Sequence, residues 1–308
     1  MDQGRAKHQE PSTKDYVARC FILLASALFL GQTAREPSLP DLLQRAGQYV
    51  RQLERDVSTI ISDERYEQQL EVRTTKGRDG RTRKLVSEMS FVWMRDDRIW
   101  LSVRSVDRVD GQRMDDSRPR LKAALADATP GRAAQIERLR DEGARFNIGG
   151  VERNFSDPML SLQIADPSMQ QRFTFAIGGS ERIRGQPTVR VTFVEHGHPT
   201  LVQRGTDRGD LPAHGDIWLG PTDGVIHQTR LVIDDERLAT HATVTVTFAH
   251  NAKLDRWLPL QMDETYARQG TGGTFFVKTP GPFTERIECV AKYTNYRRFE
   301  TSGRVVPP

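Results

Sequence analysis

Val244, Val246 and Phe248 alternate with Thr243, Thr245 and Thr247. A period of two puts the apolar set on one face of an extended chain and the threonines on the other. This stretch is therefore predicted as a half-buried antiparallel strand. Leu258, Leu260 and Met262 repeat the alternation. Ile287, Cys289, Ala291 and Tyr293 do so again, which makes Cys289 a small buried core residue. Phe173 and Phe175 are expected to pair with Val189, Val191 and Phe193 across a turn at Gly178-Gly179-Ser180. Further strands are expected at about 214–219, 225–234, 240–249, 258–268 and 285–299, with turn residues between them. A chain of such strands has to close a core with one sheet face.

The first half alternates between two periods. Ser38-Leu-Pro-Asp41 is a helix start, with Ser38 placed to cap, Pro40 in the first turn and an acid at the N-terminus. Leu42, Ala46, Tyr49, Val50, Leu53, Val57, Ile60 and Ile61 recur at three- and four-residue spacings. They predict an amphipathic helix over about 41–62. Strands follow at Arg65–Arg73, Lys84 to about Arg95, and Ile99–Val106. A second helical region is predicted over 117–127 and 131–146, broken at Thr129-Pro130-Gly131. Helix, three strands, helices and then a run of antiparallel strands describe an α+β chain, mostly β. Its architecture is a curved antiparallel sheet whose helices cover one face. Residues 35–308 are expected to form one domain, with 107–150 a candidate helical insertion.

Ahead of this domain, Cys20–Leu30 is a long uncharged apolar run, preceded by Arg19 and followed by Gly31-Gln-Thr-Ala34. As a helix it spans roughly 17 Å, against about 30 Å of hydrocarbon in a bilayer. Residues 1–34 therefore read as a secretory signal peptide, placing the domain in the periplasm or outside the cell. The alternative is an uncleaved anchor at residues 20–30, with membrane contact through the N-terminus. Cys20 stands at the start of the run and not after it, so it is not the modified cysteine of a lipoprotein. With only two cysteines in the chain, Cys20 and Cys289, the exported part has no disulfide and depends on its core. The net charge of +4 comes from interspersed signs, as in Arg138-Leu-Arg-Asp-Glu142, so no nucleic-acid partner is expected.

His214-Gly-Asp-Ile-Trp218-Leu-Gly-Pro221-Thr-Asp-Gly224-Val-Ile226 ends one strand at Trp218 and Leu219, turns through Gly220–Gly224 and starts the return at Val225. This hairpin resembles one found in the periplasmic lipoprotein carrier superfamily, the LolA/LolB-like half-barrels. Trp257–Tyr266 and Ala291–Phe299 are similar to segments of exported bacterial proteins, and the strand order agrees with the half-barrel. The resemblance implies an incomplete barrel enclosing an apolar cavity for acyl chains, and so a lipid or lipoprotein ligand and no cofactor. Phe173, Phe175, Val191, Phe193, Val244, Val246 and Phe248 are the candidate lining residues. The same alternation also serves a filled core, the favoured of the two readings for any such sheet.

Signatures of catalysis are sparse. Glu195-His196-Gly-His198 is the strongest, because His-x-His places two imidazoles near one another, and His196 and His198 are the metal-ligand candidates. A polar turn before Pro199 explains the same residues. The chain has no Gly-x-Ser-x-Gly elbow and no phosphate-binding Gly-x-x-x-x-Gly-Lys. No catalytic residue is assigned. The leading expectation is a non-enzymatic envelope protein that binds a hydrophobic ligand. The alternatives are a metal-dependent hydrolase built on Glu195–His198 and a structural or interaction module.

Overall fold

The computed structural model describes residues 37–56, 59–94, 99–115, 117–126, 131–205, 207–271 and 281–298. The chain divides into two units, Met1–Pro37 and Ser38–Pro308, and the second holds every element named below. The apolar run at 20–30 lies outside the described residues, as does Phe299. No helix among the described residues is long and apolar enough to cross a membrane.

Helix α1, Leu39–Asp56, opens as its sequence predicts, with the Ser38 carbonyl accepting from the Leu42 amide and the Ser38 hydroxyl beside the Asp41 amide. Leu42, Ala46, Val50 and Leu53 form its buried stripe. The predicted continuation to residue 62 does not occur: strand β1, Thr59–Thr74, starts instead. Thr59, Ile60 and Ile61 are β-branched and favour the extended chain. From Ile60 the buried positions Ile60, Ser62, Glu64, Tyr66 and Gln68 fall two apart, so the period-two signal overrides the helical spacing.

Beyond β1 come β2 (Gly77–Met94), β3 (Ile99–Val109), β4 (Gln112–Arg113), α2 (Arg118–Ala126) and α3 (Arg132–Ala144). Two 3-10 turns, Leu160–Ala165 and the shorter Gln170–Arg172, lead into β5 (Phe173–Ile183) and β6 (Gln186–Glu195). The short β7 (Val202–Gln203) and β8 (Asp210–Leu211) pair with each other. The chain then forms β9 (Ala213–Leu219), β10 (Ile226–Asp235), β11 (Thr240–Asn251), β12 (Arg256–Thr271) and β13 (Pro282–Arg298).

Eleven of these strands make one open, curved antiparallel sheet in the order β4-β3-β2-β1-β13-β12-β11-β10-β9-β6-β5. The predicted α+β class and antiparallel sheet are what the structure shows. Pairing of β1 with β13 places the first and last strands side by side in its middle. One expected turn moves: β5 runs straight through Gly178-Gly179, and the chain reverses at Arg184-Gly185. Gly179, at φ +117°, marks a register shift between Ile177 and Gly179 rather than the hairpin.

The main core lies on one sheet face, under α1 and the segment 146–165. Leu42, Val50, Phe91, Trp100, Met159, Leu162, Phe193, Phe248, Met262 and Tyr293 all belong to it. A smaller cluster joins Leu121, Leu125, Ile136 and Leu139 of α2 and α3 to Val92, Leu101 and Val103. Alternation along the strands puts these three on the opposite face from Phe91 and Trp100.

Candidate functional site

Between α3 and the first 3-10 turn the chain has no regular structure, and residues 145–157 cross the core face of β1, β13 and β12 as a strap. Two apolar side chains, Ile148 and Phe155, are buried beneath it. Phe146 and Val151 also pack, half-buried, against the core, and polar bonds complete the attachment. Gln68 accepts from the Ile148 amide at 3.0 Å and donates to the Phe146 carbonyl at 3.2 Å, and Arg83 also donates to that carbonyl. Glu285 accepts from the Gly150 amide at 2.7 Å, while Arg268 donates to the Gly150 carbonyl and to Glu285.

Arg153 carries the strap into the core. It is 6% exposed, and its guanidinium donates to the Tyr66 hydroxyl, the Cys289 sulfur, the Gln68 side chain and the Ile148 carbonyl at 2.8–3.0 Å. The Tyr66 hydroxyl in turn donates to Glu264, as does that of Tyr266. Burial, and then the charge of Glu264, push both phenols well above their ordinary pKa, so each remains a donor. Beside them Arg104 grips Glu64 with two hydrogen bonds of 2.6 and 2.9 Å and lies over the Tyr66 ring. Apart from Arg153, each of these side chains sits at a core-facing strand position. Breaking one partner of such a set leaves a buried charge unpaired, at a cost of about 3–5 kcal/mol.

Cavities flank the strap. On one side a cavity of about 160 Å³ is lined by Val151, Phe155, Leu211, Ile233, Leu238 and Ala242 together with the polar Glu152, Asn154, Arg204, Asp235, Thr240 and Arg268. Those two arginines are engaged, Arg204 with Asp235 and Arg268 with Glu285. On the other side a polar groove runs along α3. Its lobes, of about 350 and 550 Å³, share Arg140, Asp141, Glu152, Asn154 and Asp157. Asp157 anchors the end of the strap, accepting from the Ser102 amide and hydroxyl and the Met159 amide. Burial raises its pKa against those bonds.

The residues singled out by sequence lie elsewhere. Phe173, Val191, Phe193, Val244, Val246 and Phe248 are all buried members of the main core, and Phe175 packs against it half-buried. None of them walls the cavities just described. Glu195 is buried and accepts from the Leu201 and Ala213 amides, which closes the loop between β6 and β9. His196 and His198 are exposed, and His198 pairs with Asp210 at 2.7 Å. Glu195 and His198 thus serve separate structural bonds. No group of three or more His, Cys, Asp or Glu able to hold a metal occurs among the described residues. Asp235 is buried against Arg204.

The Trp218–Gly224 hairpin forms with the expected turn, and β10 starts one residue later, at Ile226. Its glycine has a tertiary reason. Gly224 adopts φ +69°, and a Cβ there would stand 2.4 Å from the Arg45 carbonyl carbon of α1. Arg45 also donates to the Pro221 carbonyl at 2.6 Å. The motif docks α1 on the sheet.

No family model matches the chain, and no curated protein does. Solved structures do. It is similar to a putative outer membrane lipoprotein-sorting protein domain from Vibrio parahaemolyticus, at 9% identity and TM-score 0.29, covering 85% of this chain and 95% of that one. A LolA superfamily protein from Nitrosomonas europaea matches at 7% identity and TM-score 0.26, over 85% and 93% of the two chains. A DUF1329 family protein from Desulfovibrio piger matches at 11% identity and TM-score 0.28, over 86% and 95%. The matched structures thus include the superfamily that the hairpin resembles. At TM-scores this low, function is read from this chain's own geometry.

The sequence does not mark the strap, because its anchors, Gln68, Arg83, Arg268 and Glu285, read as ordinary polar strand positions. One signal was available. On β1, Glu64 and Gln68 share the face of Ile60, Tyr66 and Leu70, breaking the apolar alternation where a buried polar partner is required.

Proposed function

We infer that the chain is a non-catalytic protein of the bacterial envelope that holds a small apolar molecule or a short acyl segment beside the strap. The observation that carries this reading is the 160 Å³ cavity walled by Val151, Phe155, Leu211, Ile233, Leu238 and Ala242. An apolar cavity of about 150 Å³ in another protein stays dry and takes up benzene, which sets the scale of ligand expected here. The centre of the sheet is filled by its own side chains, Val244, Val246 and Phe248 among them. The ligand on this reading is therefore short, or only its end is buried. Export is the role assigned to residues 1–34, with the apolar run at 20–30 as signal or anchor.

Titration with the fluorescent apolar probe N-phenyl-1-naphthylamine, followed by competition with octanoate, tests the reading. Ala242 is buried at the cavity wall, so A242F fills the space. Probe binding to the wild type, displaced by octanoate and weakened at least tenfold in A242F, is the expected result. Equal binding by both proteins, or none by either, overturns it.

A further inference from the structure

The polar groove beside α3 forms where that helix covers the edge of the sheet. Among the described strands only β4 pairs with the outer edge of β3, and only at Arg108 and Val109. Helix α3 lies along the rest, so close that a Cβ on Gly143 would stand 2.6 Å from the Arg104 carbonyl oxygen. The lobe of about 350 Å³ is bounded by three separate parts of the chain. Strand β3 contributes Ser102 and Arg104, α3 contributes Arg140 and Asp141, and the remainder comes mainly from residues 145–157.

Several polar atoms of this lining bond nothing in the fold. Among the described residues, Arg153 Nε, Asn147 Oδ1 and Ser156 Oγ are buried without a hydrogen-bond partner, and all three residues line the 350 Å³ lobe. Trp100 Nε1 is a fourth such atom, on a residue of the adjoining lobe. Arg153 is 6% exposed and Trp100 2%. The other Arg153 nitrogens are engaged by Tyr66, Cys289, Gln68 and the Ile148 carbonyl, which hold the guanidinium in place. A buried donor or acceptor that gives up water without a replacement is unfavourable, so a group of them around one groove calls for a partner. This group comprises two donors, one acceptor and a hydroxyl able to do either. The charges of the lobe balance: Arg140 and Arg145 stand with Asp141 and Glu152, while Arg104 is paired with Glu64. An ion entering such a space would bring an uncompensated charge, whereas a neutral guest would not.

We propose that the groove between α3 and residues 145–157 is a second binding site, for a small neutral polyhydroxyl compound, a sugar or polyol, held by Arg153 Nε, Asn147 Oδ1 and Ser156 Oγ. Each hydroxyl of such a compound both donates and accepts, so two on neighbouring carbons satisfy a donor and an acceptor side by side. A hydrocarbon would leave all of these atoms unpaired. The site therefore differs in chemistry from the cavity of about 160 Å³, and it stands whether or not that cavity takes a ligand.

Saturation-transfer NMR with glucose, galactose, ribose, myo-inositol and glycerol, followed by calorimetric titration of whichever responds, tests the site. At least one of these is expected to bind with a Kd of about 1 mM or tighter. S156A and N147A each delete an atom that bonds nothing in the fold. Each is therefore expected to weaken that compound about tenfold, with its urea midpoint unchanged or raised. A242F, which fills the apolar cavity, should leave the affinity as it is. Binding by none of the five compounds overturns the proposal, as does binding that neither S156A nor N147A weakens. A lowered urea midpoint in either variant shows that the fold itself uses the deleted atom and also overturns it. Glycine and succinate serve as zwitterionic and anionic probes, and tighter binding of either than of all five overturns the neutral class of ligand. Loss of sugar or polyol binding in a folded A242F would merge the site with the apolar cavity and refute a second site.

Discussion

At the scale of single residues, Tyr66 joins two charges. Its hydroxyl donates to Glu264 and accepts from Arg153, so it mediates between a buried carboxylate and a buried guanidinium that make no direct ion pair. Tyr66→Phe removes both bonds and should destabilise the fold by about 2–3 kcal/mol in urea denaturation. Tyr266→Phe removes only one donor to Glu264, and about 1 kcal/mol is expected. Cys289 belongs to the same cluster. Burial, with the charge of Glu264 second, pushes its thiol up to about 12. In a Cys20→Ser background, a thiol reagent at pH 8 should find no reactive group until denaturant is added. Immediate reaction of the native protein would place Cys289 outside the core.

At the scale of elements, α1 and the Trp218 hairpin depend on one another. Gly224 approaches the α1 backbone so closely that Gly224→Ala meets both an unfavourable φ and the Arg45 carbonyl carbon. A loss of about 2 kcal/mol or more is expected in thermal denaturation, against about 0.5 kcal/mol for an exposed helix position. Leu53→Ala, in the last turn of α1, should cost about 2–4 kcal/mol, because Leu53 is 1% exposed and its removal leaves a void against the sheet. The positions of the elements were largely legible from periodicity. The helix starting at Ser38 and the strands at 240–251 and 256–271 need no tertiary information beyond a buried face. The end of α1 was misread because Ile60 and Ile61 satisfy both spacings. Their pairing with both β2 and β13 holds them extended.

At the scale of the whole molecule, stability should depend on pH through carboxylates held by the fold. The Thr200 amide and then His198 hold Asp210 well below the usual carboxylate range. Arg204 lowers Asp235, an effect opposed by burial. A depressed folded-state pKa means that the unfolded chain binds the proton more readily. The stabilisation is therefore complete above the ordinary aspartate value of 3.8 and is lost as pH falls through the folded-state values. Asp157 acts in the opposite sense, since burial raises its folded-state pKa and favours the protonated form on folding. Urea midpoints measured between pH 2 and pH 7 should fall below about pH 4, and the fall should be smaller in Asp210→Asn. An unchanged pH profile in that variant would remove Asp210 from the account.

The alternation of side chains determined, without any structure, that this is a mostly β chain with a one-sided antiparallel sheet and an amphipathic helix at its start. That follows from local geometry, since a period of two or of 3.6 fixes which side chains share a face. Tertiary structure decided what those faces meet. Phe193, Val244 and Phe248 read as core or, less favoured, as cavity walls, and in the structure they belong to the main core. The cavity beside the strap joins residues far apart in sequence, Val151 and Phe155 with Leu211, Ile233 and Ala242. The polar anchors of the strap come from strands whose charged residues look solvated one strand at a time. Burial belongs to the assembled sheet, and no spacing along a single strand records it.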